Sequence, residues 1–330
     1  MTMFRKLTFI ALTFVLLLGA CAPAVTATPA PTVAPTAVPT LAAPTAEPTA
    51  APLTFTDGLG RAISLSTPAQ KVVSLAPSNT EILFAIGAGD QTIGRDMFSD
   101  FPEAAKALPD VGGSMGEYNL EAITALQPDL VLAAEINTEA QVKALDDLGL
   151  TVYYLKNPAT LEEMYANLQT VAQLTGHEPQ AAALIESLQA RVVAVTEKIS
   201  AAAEKPSVFY EVDASDPAKP YSAGPGTFID TLITLAGGKN MVTLAGITDA
   251  YPQVSLEQVV ATPPDVILLG DAMWGTTPDM VGQRPGWETL PAVTGGQVFA
   301  FDDNLVSRPG PRLVDGLELL AKLLHPELFK

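Results

Sequence analysis

One segment of this chain occurs twice. Asn119-Leu120-Glu121-Ala122-Ile123, running on to Gln127-Pro128-Asp129-Leu130-Val131-Leu132, returns as Ser255-Leu256-Glu257-Gln258-Val259, running on to Pro263-Pro264-Asp265-Val266-Ile267-Leu268. Each copy reads as a capping residue, a short helix, a proline break and an unbroken apolar strand. Weaker matches flank it in the same order, residues 81–86 with 230–235 and residues 149–153 with 295–299. A helix-break-strand unit of this size cannot bury its own apolar face. A chain that carries it twice in matching surroundings is constrained to build two similar α/β lobes.

The surroundings complete the lobes. Lys71-Val72-Val73-Ser74-Leu75-Ala76 is a short β-branched run, and residues 79–86 have the apolar spacing of a helix. Ser78 and Glu81 stand at capping-box spacing before that helix, and Gly87 stands where it would end. Helices over 120–126 and 138–148 alternate with strands over 130–133 and 151–155, which predicts parallel sheets with helices on both faces. Between the two repeats, residues 178–203 contain no glycine and no proline after Pro179, with apolar side chains at Ala182, Leu184, Ile185, Leu188, Val192, Val195 and Ile199. A helix of that length spans about 39 Å, enough to run from one lobe to the other as a rigid strut.

The amino terminus adds an address. Arg5 and Lys6 precede an apolar run from Leu7 to Leu18, then Gly19, Ala20 and Cys21, the order of a secretory signal and too short for a permanent membrane span. Leu18-Gly19-Ala20-Cys21 resembles the lipobox of bacterial lipoproteins, which implies that Cys21 becomes the lipidated first residue of the mature chain. It is the only cysteine, so stability rests on a packed core and not on disulfides. Residues 22–52 are almost wholly Ala, Pro, Thr and Val, a composition that buries no core and favours extended conformers reaching at most about 95 Å. The domains expected are therefore a signal peptide over 1–20, a lipidated cysteine and disordered tether over 21–52, an N-terminal lobe over 53–177, an inter-lobe helix over 178–204 and a C-terminal lobe over 205–330. The formal charge of −18 argues against nucleic acid and anionic lipid surfaces as partners.

Catalytic chemistry is poorly supplied. Gly112-Gly113-Ser114-Met115-Gly116 satisfies the pattern of a hydrolase nucleophile elbow, but no central strand precedes it and the two histidines, His177 and His325, sit near helix ends far away in sequence. Each reads most simply as a solvated helix-end residue. With two histidines and no spare thiol, a protein-built zinc site is not expected, and any metal should arrive inside its own chelate. Three features suit ligand capture between lobes. Gly224-Pro225-Gly226 leads to a helix start at Thr227 and Asp230, and Arg308-Pro309-Gly310-Pro311-Arg312 forms a rigid turn that can project a guanidinium. The aromatics Phe98, Tyr118, Tyr210, Tyr221 and Tyr251 fall near strand-to-helix loops, where open sheets bind ligands.

From Lys71 onward the chain resembles the cobalamin, haem and siderophore class of periplasmic binding proteins. The carriers are Ser74-Leu75-Ala76-Pro77-Ser78-Asn79-Thr80-Glu81, Phe98-Ser99-Asp100-Phe101-Pro102, Asn119-Leu120-Glu121, Pro128-Asp129-Leu130-Val131, Tyr251-Pro252-Gln253-Val254-Ser255 and Arg308-Pro309-Gly310-Pro311-Arg312. The resemblance implies two Rossmann-like α/β lobes joined by one long helix, with the ligand cleft between them and little movement when ligand enters. It implies a non-enzymatic, monomeric, extracytoplasmic protein without intrinsic cofactor, whose partners are an ABC permease and its cytoplasmic ATPase. Cobalamin-binding members are the most similar, with ferric siderophores and haem as alternative ligands; a surface sensor or adhesin is the reading of another class. By the same resemblance, Glu121 and Glu257 dock on the permease, and the pocket comprises Phe98, Met115, Glu135, Tyr251, Asn304 and Arg308. The family's tryptophans at several of these positions are missing.

Overall fold

Apolar runs that lack alternation belong in strands covered on both faces, and the computed structural model, which describes residues 52–114 and 116–330, places them there. In the first lobe Thr92–Arg95, Val72–Ser74, Leu130–Ala134 and Val152–Leu155 lie side by side in that order, every neighbouring pair parallel. Val72, Leu130 and Leu132 face one apolar cluster while Val73, Val131 and Ala133 face another, the two-residue alternation of a pleated strand. The second lobe repeats the order with Lys239–Asn240, Ser207–Asp213, Val266–Leu269 and Val298–Ala300, and adds Tyr221–Ser222 antiparallel to Ser207–Asp213.

The sequence repeat is one structural device used twice. Asp129 Oδ2 accepts hydrogen bonds from the backbone N–H groups of Gln70 and Lys71, both at 2.9 Å, and Asp265 Oδ2 accepts one from Ser207 at 2.8 Å. Each aspartate thereby pins the entrance of the neighbouring strand. The helices before them, Leu120–Leu126 and Leu256–Ala261, are capped by Asn119 and Ser255, and Ser255 closes a full capping box with Gln258. Thr138 and Gln141 make another at the start of Glu139–Asp147.

One expected cap does not form. The first helix is Pro77–Ala85, with Ala76 as its N-cap and no side-chain cap, because Pro77 already occupies the first helical position that suits proline best. Ser78 therefore lies inside the helix, and Glu81, 2% exposed, turns towards the other lobe. Gly87 does follow the helix, with φ +89°.

The strut is present but shorter than expected, Glu178–Ile199, about 33 Å long. Beyond it Ala201 and Ala202 donate to Lys198 and Ile199, tighter three-residue closures that end the helix. It packs on Leu161–Thr175 of the first lobe and Leu313–Leu324 of the second. Its Leu188, Val195 and Ile199 belong to a single apolar core shared by both lobes. Arg191 adds bonds to Asp315 at 2.5 Å and Glu318 at 2.9 Å. His325 caps Leu313–Leu324 as a helix-end residue but is 3% exposed, its Nε2 3.3 Å from the Gly237 carbonyl, so it is a packing residue and not a solvated one. The hairpin of Leu53–Thr56 with Ala62–Leu65 opens the first lobe directly after the Ala/Pro/Thr segment, where the sequence analysis predicts no strand. Among the described residues no helix is long and apolar enough to cross a membrane.

Candidate functional site

Parallel strands release their chains at one end of the sheet, and a crevice opens there. In this molecule the crevice is a cavity of about 930 Å³ whose lining comes from both lobes. After Val72–Ser74 come Leu75, Ala76, Pro77 and Ser78; after Thr92–Arg95 come Asp96, Met97, Phe98 and Asp100; after Leu130–Ala134 come Glu135 and Ile136. The opposite wall is Met273 and Trp274, beyond Val266–Leu269, and Asp303, Asn304, Ser307, Arg308 and Pro309, beyond Val298–Ala300. Gly113, Gly116 and Tyr118 close one side.

The walls are apolar and unusually open to solvent. Trp274 is 78% exposed and Ile136 69%, and Met97, Phe98 and Met273 are also exposed. Large apolar side chains left in water around a concave site lower the cost of bringing in a large apolar face. Trp274 matters for a second reason: it supplies an aromatic wall from the short 3-10 helix Gly270–Trp274, which no sequence pattern marks.

The polar lining is acidic. Asp96 is buried, which pushes its carboxyl up, and it accepts bonds from Ser99 Oγ and from the Phe98 N–H at 2.9 Å, which act against the shift. Burial likewise raises Asp303, although the Tyr210 hydroxyl donates to its Oδ1 at 2.6 Å. Burial pushes the Tyr118 phenol up to about 12, so this hydroxyl stays protonated and donates to the Leu75 carbonyl at 2.8 Å.

Arg308 lines the cavity as expected, but its guanidinium is already engaged. Nη1 donates to Glu81 Oε1 at 3.1 Å and to Asp100 Oδ1 at 2.6 Å, and Nη2 lies 3.3 Å from the Phe98 carbonyl. Burial of Asp100 works against ionisation, and Arg308 outweighs it, holding that carboxyl below the usual aspartate range. Arg312 donates to the same Glu81 carboxylate and stacks on Phe101 at 4.1 Å. The Arg308-to-Arg312 turn, expected to offer a free guanidinium to ligand, instead clamps its lobe to the first helix of the other. No local pattern could have shown this, since the partners lie more than two hundred residues apart.

Of the other expected pocket residues, Phe98, Glu135 and Asn304 line the cavity, and Met115 lies outside the described residues. Tyr251 is not part of the lining; it is half-exposed, and burial together with the Asp303 and Glu135 carboxylates raises its phenol. Tyr210 is fully buried in Ser207–Asp213 and acts on the site only by orienting Asp303. Tyr221 and the Gly224-Pro225-Gly226 loop do not reach the lining. Gly112–Ser114 pairs antiparallel with Glu117–Tyr118, a hairpin in place of the strand-to-helix turn a nucleophile elbow requires. Among the described residues no three His, Cys, Asp or Glu are grouped to hold a metal ion.

Glu121 and Glu257 occupy the second position of their helices and are both exposed. Among the described residues neither forms an ion pair. Glu121 lies three residues beyond the cavity-lining Tyr118, which sets it near the cleft without placing it inside.

Residues 72–305 match the family model described as periplasmic binding protein. An uncharacterized ABC transporter substrate-binding lipoprotein of Bacillus subtilis is 33% identical over 283 residues, 84% of this chain and 87% of that protein. A cobalamin-binding protein of Halobacterium salinarum is 30% identical over 278 residues, 83% of this chain and 74% of its own length. The solved structure of a periplasmic heme-binding protein from Roseiflexus sp. RS-1 in apo form superposes with TM-score 0.71 at 27% identity, covering 79% of this chain and 99% of that one.

Proposed function

This chain belongs to the periplasmic binding protein family, and from that premise we propose that it is the lipid-anchored solute-binding protein of an ABC importer that captures a corrinoid and delivers it to a permease. The observation that carries the reading is the cleft: about 930 Å³ between two lobes, walled by exposed Trp274, Phe98, Ile136, Met97 and Met273, with hydrogen-bonding groups at its edges. A corrinoid is a large ring with apolar faces and a rim of amides, and it brings its metal with it. The likeness to a cobalamin-binding relative supports the same ligand.

Haem is the second reading, favoured by the likeness to a heme-binding structure and by the half-exposed Tyr251. It is the weaker one here, because an axial phenolate would have to form on a ring whose phenol is raised by burial and two nearby carboxylates, and because haem propionates would meet an acidic lining. A ferric siderophore, commonly anionic, meets the same obstacle.

The test is a thermal-shift screen of the tether-free body with cyanocobalamin, cobinamide, haemin and ferric siderophores. At a hundred times the dissociation constant, a true ligand stabilises by about 2.7 kcal/mol, roughly 5 °C for a body of this size. A corrinoid should give that shift, and quenching of Trp274 fluorescence should accompany it, since the other tryptophan, Trp287, is 1% exposed. A shift with haemin or a siderophore and none with either corrinoid would assign the other ligand.

Cys21, which lies outside the described residues, is the proposed anchor. Cys21→Ser should move the protein from the membrane fraction to the soluble extracytoplasmic fraction, because the sequence offers no other thiol for a lipid. Unchanged membrane retention of the variant would refute the anchor.

A further inference from the structure

The cavity lining carries four carboxylates, Asp96, Asp100, Glu135 and Asp303, and one guanidinium, Arg308. That guanidinium is spent on the lobe clamp, within bonding distance of Glu81 and Asp100. The Glu81 carboxylate is shared in turn with Arg312. Among the described residues Glu135 has only a backbone contact, accepting from the Asn157 N–H at 3.1 Å. Among the described residues no lysine lines the cavity, and the chain as a whole is strongly acidic. An anionic ligand would therefore find no free cation among the described lining residues and several like charges within a partly desolvated cleft, where charges act over longer distances than in open water.

We propose that the cleft selects its solute by charge, binding a cationic form of its chelate more tightly than the neutral form and discriminating against an anionic one. The choice of scaffold for the test rests on the corrinoid reading above; the charge rule does not. Tyr210 and Ser99 hold Asp303 and Asp96 by hydrogen bonds to the carboxylate oxygens, so these charges are fixed in direction and need no ordering when the ligand arrives. Glu135 supplies a further, exposed charge on the opposite lobe from Asp303, giving a field from both sides of the bound ring.

The experiment is a charge ladder on one scaffold, read by calorimetry on the tether-free protein at low and high salt. Aquacobalamin below the pKa of its cobalt-bound water carries one positive charge, cyanocobalamin none, and the monocarboxylate from hydrolysis of one peripheral amide of cyanocobalamin carries one negative charge. Affinity should fall about tenfold per step at low ionic strength, and the steps should shrink as salt is added. The last two compounds share both cobalt ligands, so the step between them reads peripheral charge without any contribution from exchange at the metal. Glu135→Gln, a surface change that leaves packing intact, should narrow that step by about threefold. Equal affinities along the ladder, or tighter binding of the monocarboxylate, would overturn the charge rule while leaving the corrinoid reading standing. If no corrinoid binds, that reading falls, and the same comparison passes to haemin against its bis-amide, which keeps the ferric centre and loses both propionate charges. Tighter binding of the bis-amide would uphold the rule, and tighter binding of the diacid, or of neither, would overturn it.

Discussion

Reversing the charge of Glu121 and Glu257 together should abolish uptake while leaving ligand affinity within about threefold, a difference under about 0.7 kcal/mol. Both carboxylates stand in the first turn of equivalent helices, one per lobe, exposed and without an ion-pair partner among the described residues. An exposed acidic side chain at a helix start stabilises the helix dipole by about 0.3 to 1 kcal/mol. If that were their whole role, the double reversal would lower stability slightly and transport would continue. Docking on basic permease residues makes a different demand: two like charges at corresponding places on two rigidly joined lobes must be met at once, and reversal turns two attractions into two repulsions. Transport assays in cells expressing the variant, paired with calorimetry on the purified protein, separate the outcomes. Normal uptake would return both residues to a local helix-capping role.

Glu81→Ala, at the clamp between the lobes, should be strongly destabilising, costing about 3 to 5 kcal/mol. The Glu81 side chain is 1% exposed and is held by Arg308 and Arg312, themselves 12% and 13% exposed. Truncation would leave two poorly solvated guanidinium groups without their shared partner, and the cost of such unpaired charge exceeds the net value of the intact pair. By contrast Arg191→Ala removes bonds to Asp315 and Glu318 at a site where the arginine is 35% exposed, and it should cost less than about 1 kcal/mol. Denaturant midpoints at constant slope measure both. A loss below 1 kcal/mol for Glu81→Ala would show that the clamp behaves as a surface pair. Because Glu81 lies in one lobe and both arginines in the other, the clamp also limits opening of the cleft, in keeping with the small closure that the family resemblance implies.

Much of this molecule was legible along the chain. The boundaries of Leu120–Leu126 follow from its Asn119 cap and apolar spacing, and the equivalence of the lobes follows from a repeat whose aspartates turn out to make the same bond twice. Of the pocket residues that the resemblance implies, Phe98, Glu135, Asn304 and Arg308 line the cavity and Tyr251 does not. The failures share a cause. Ser78 and Glu81 have the spacing of a cap, but the spacing says nothing of a guanidinium arriving from the other lobe. Tyr210 falls near a loop in sequence, yet its ring is committed to the core. Trp274 ends the short 3-10 helix Gly270–Trp274, which no pattern in the sequence marks, and only its place in the cavity lining with Phe98 and Ile136 makes it part of a site.

Short-range physics, readable along the chain, sets helix starts and stops, strands that must be buried on both faces, and the doubling that demands two lobes. What the tertiary structure alone decided is how charge is distributed across the cleft. The pairing of Arg308 and Arg312 with Glu81, and the grouping of Asp96, Glu135 and Asp303 around one cavity, join residues that are far apart in the chain. Electrostatic interactions depend on distance and burial in space, and neither is written in the local order of residues.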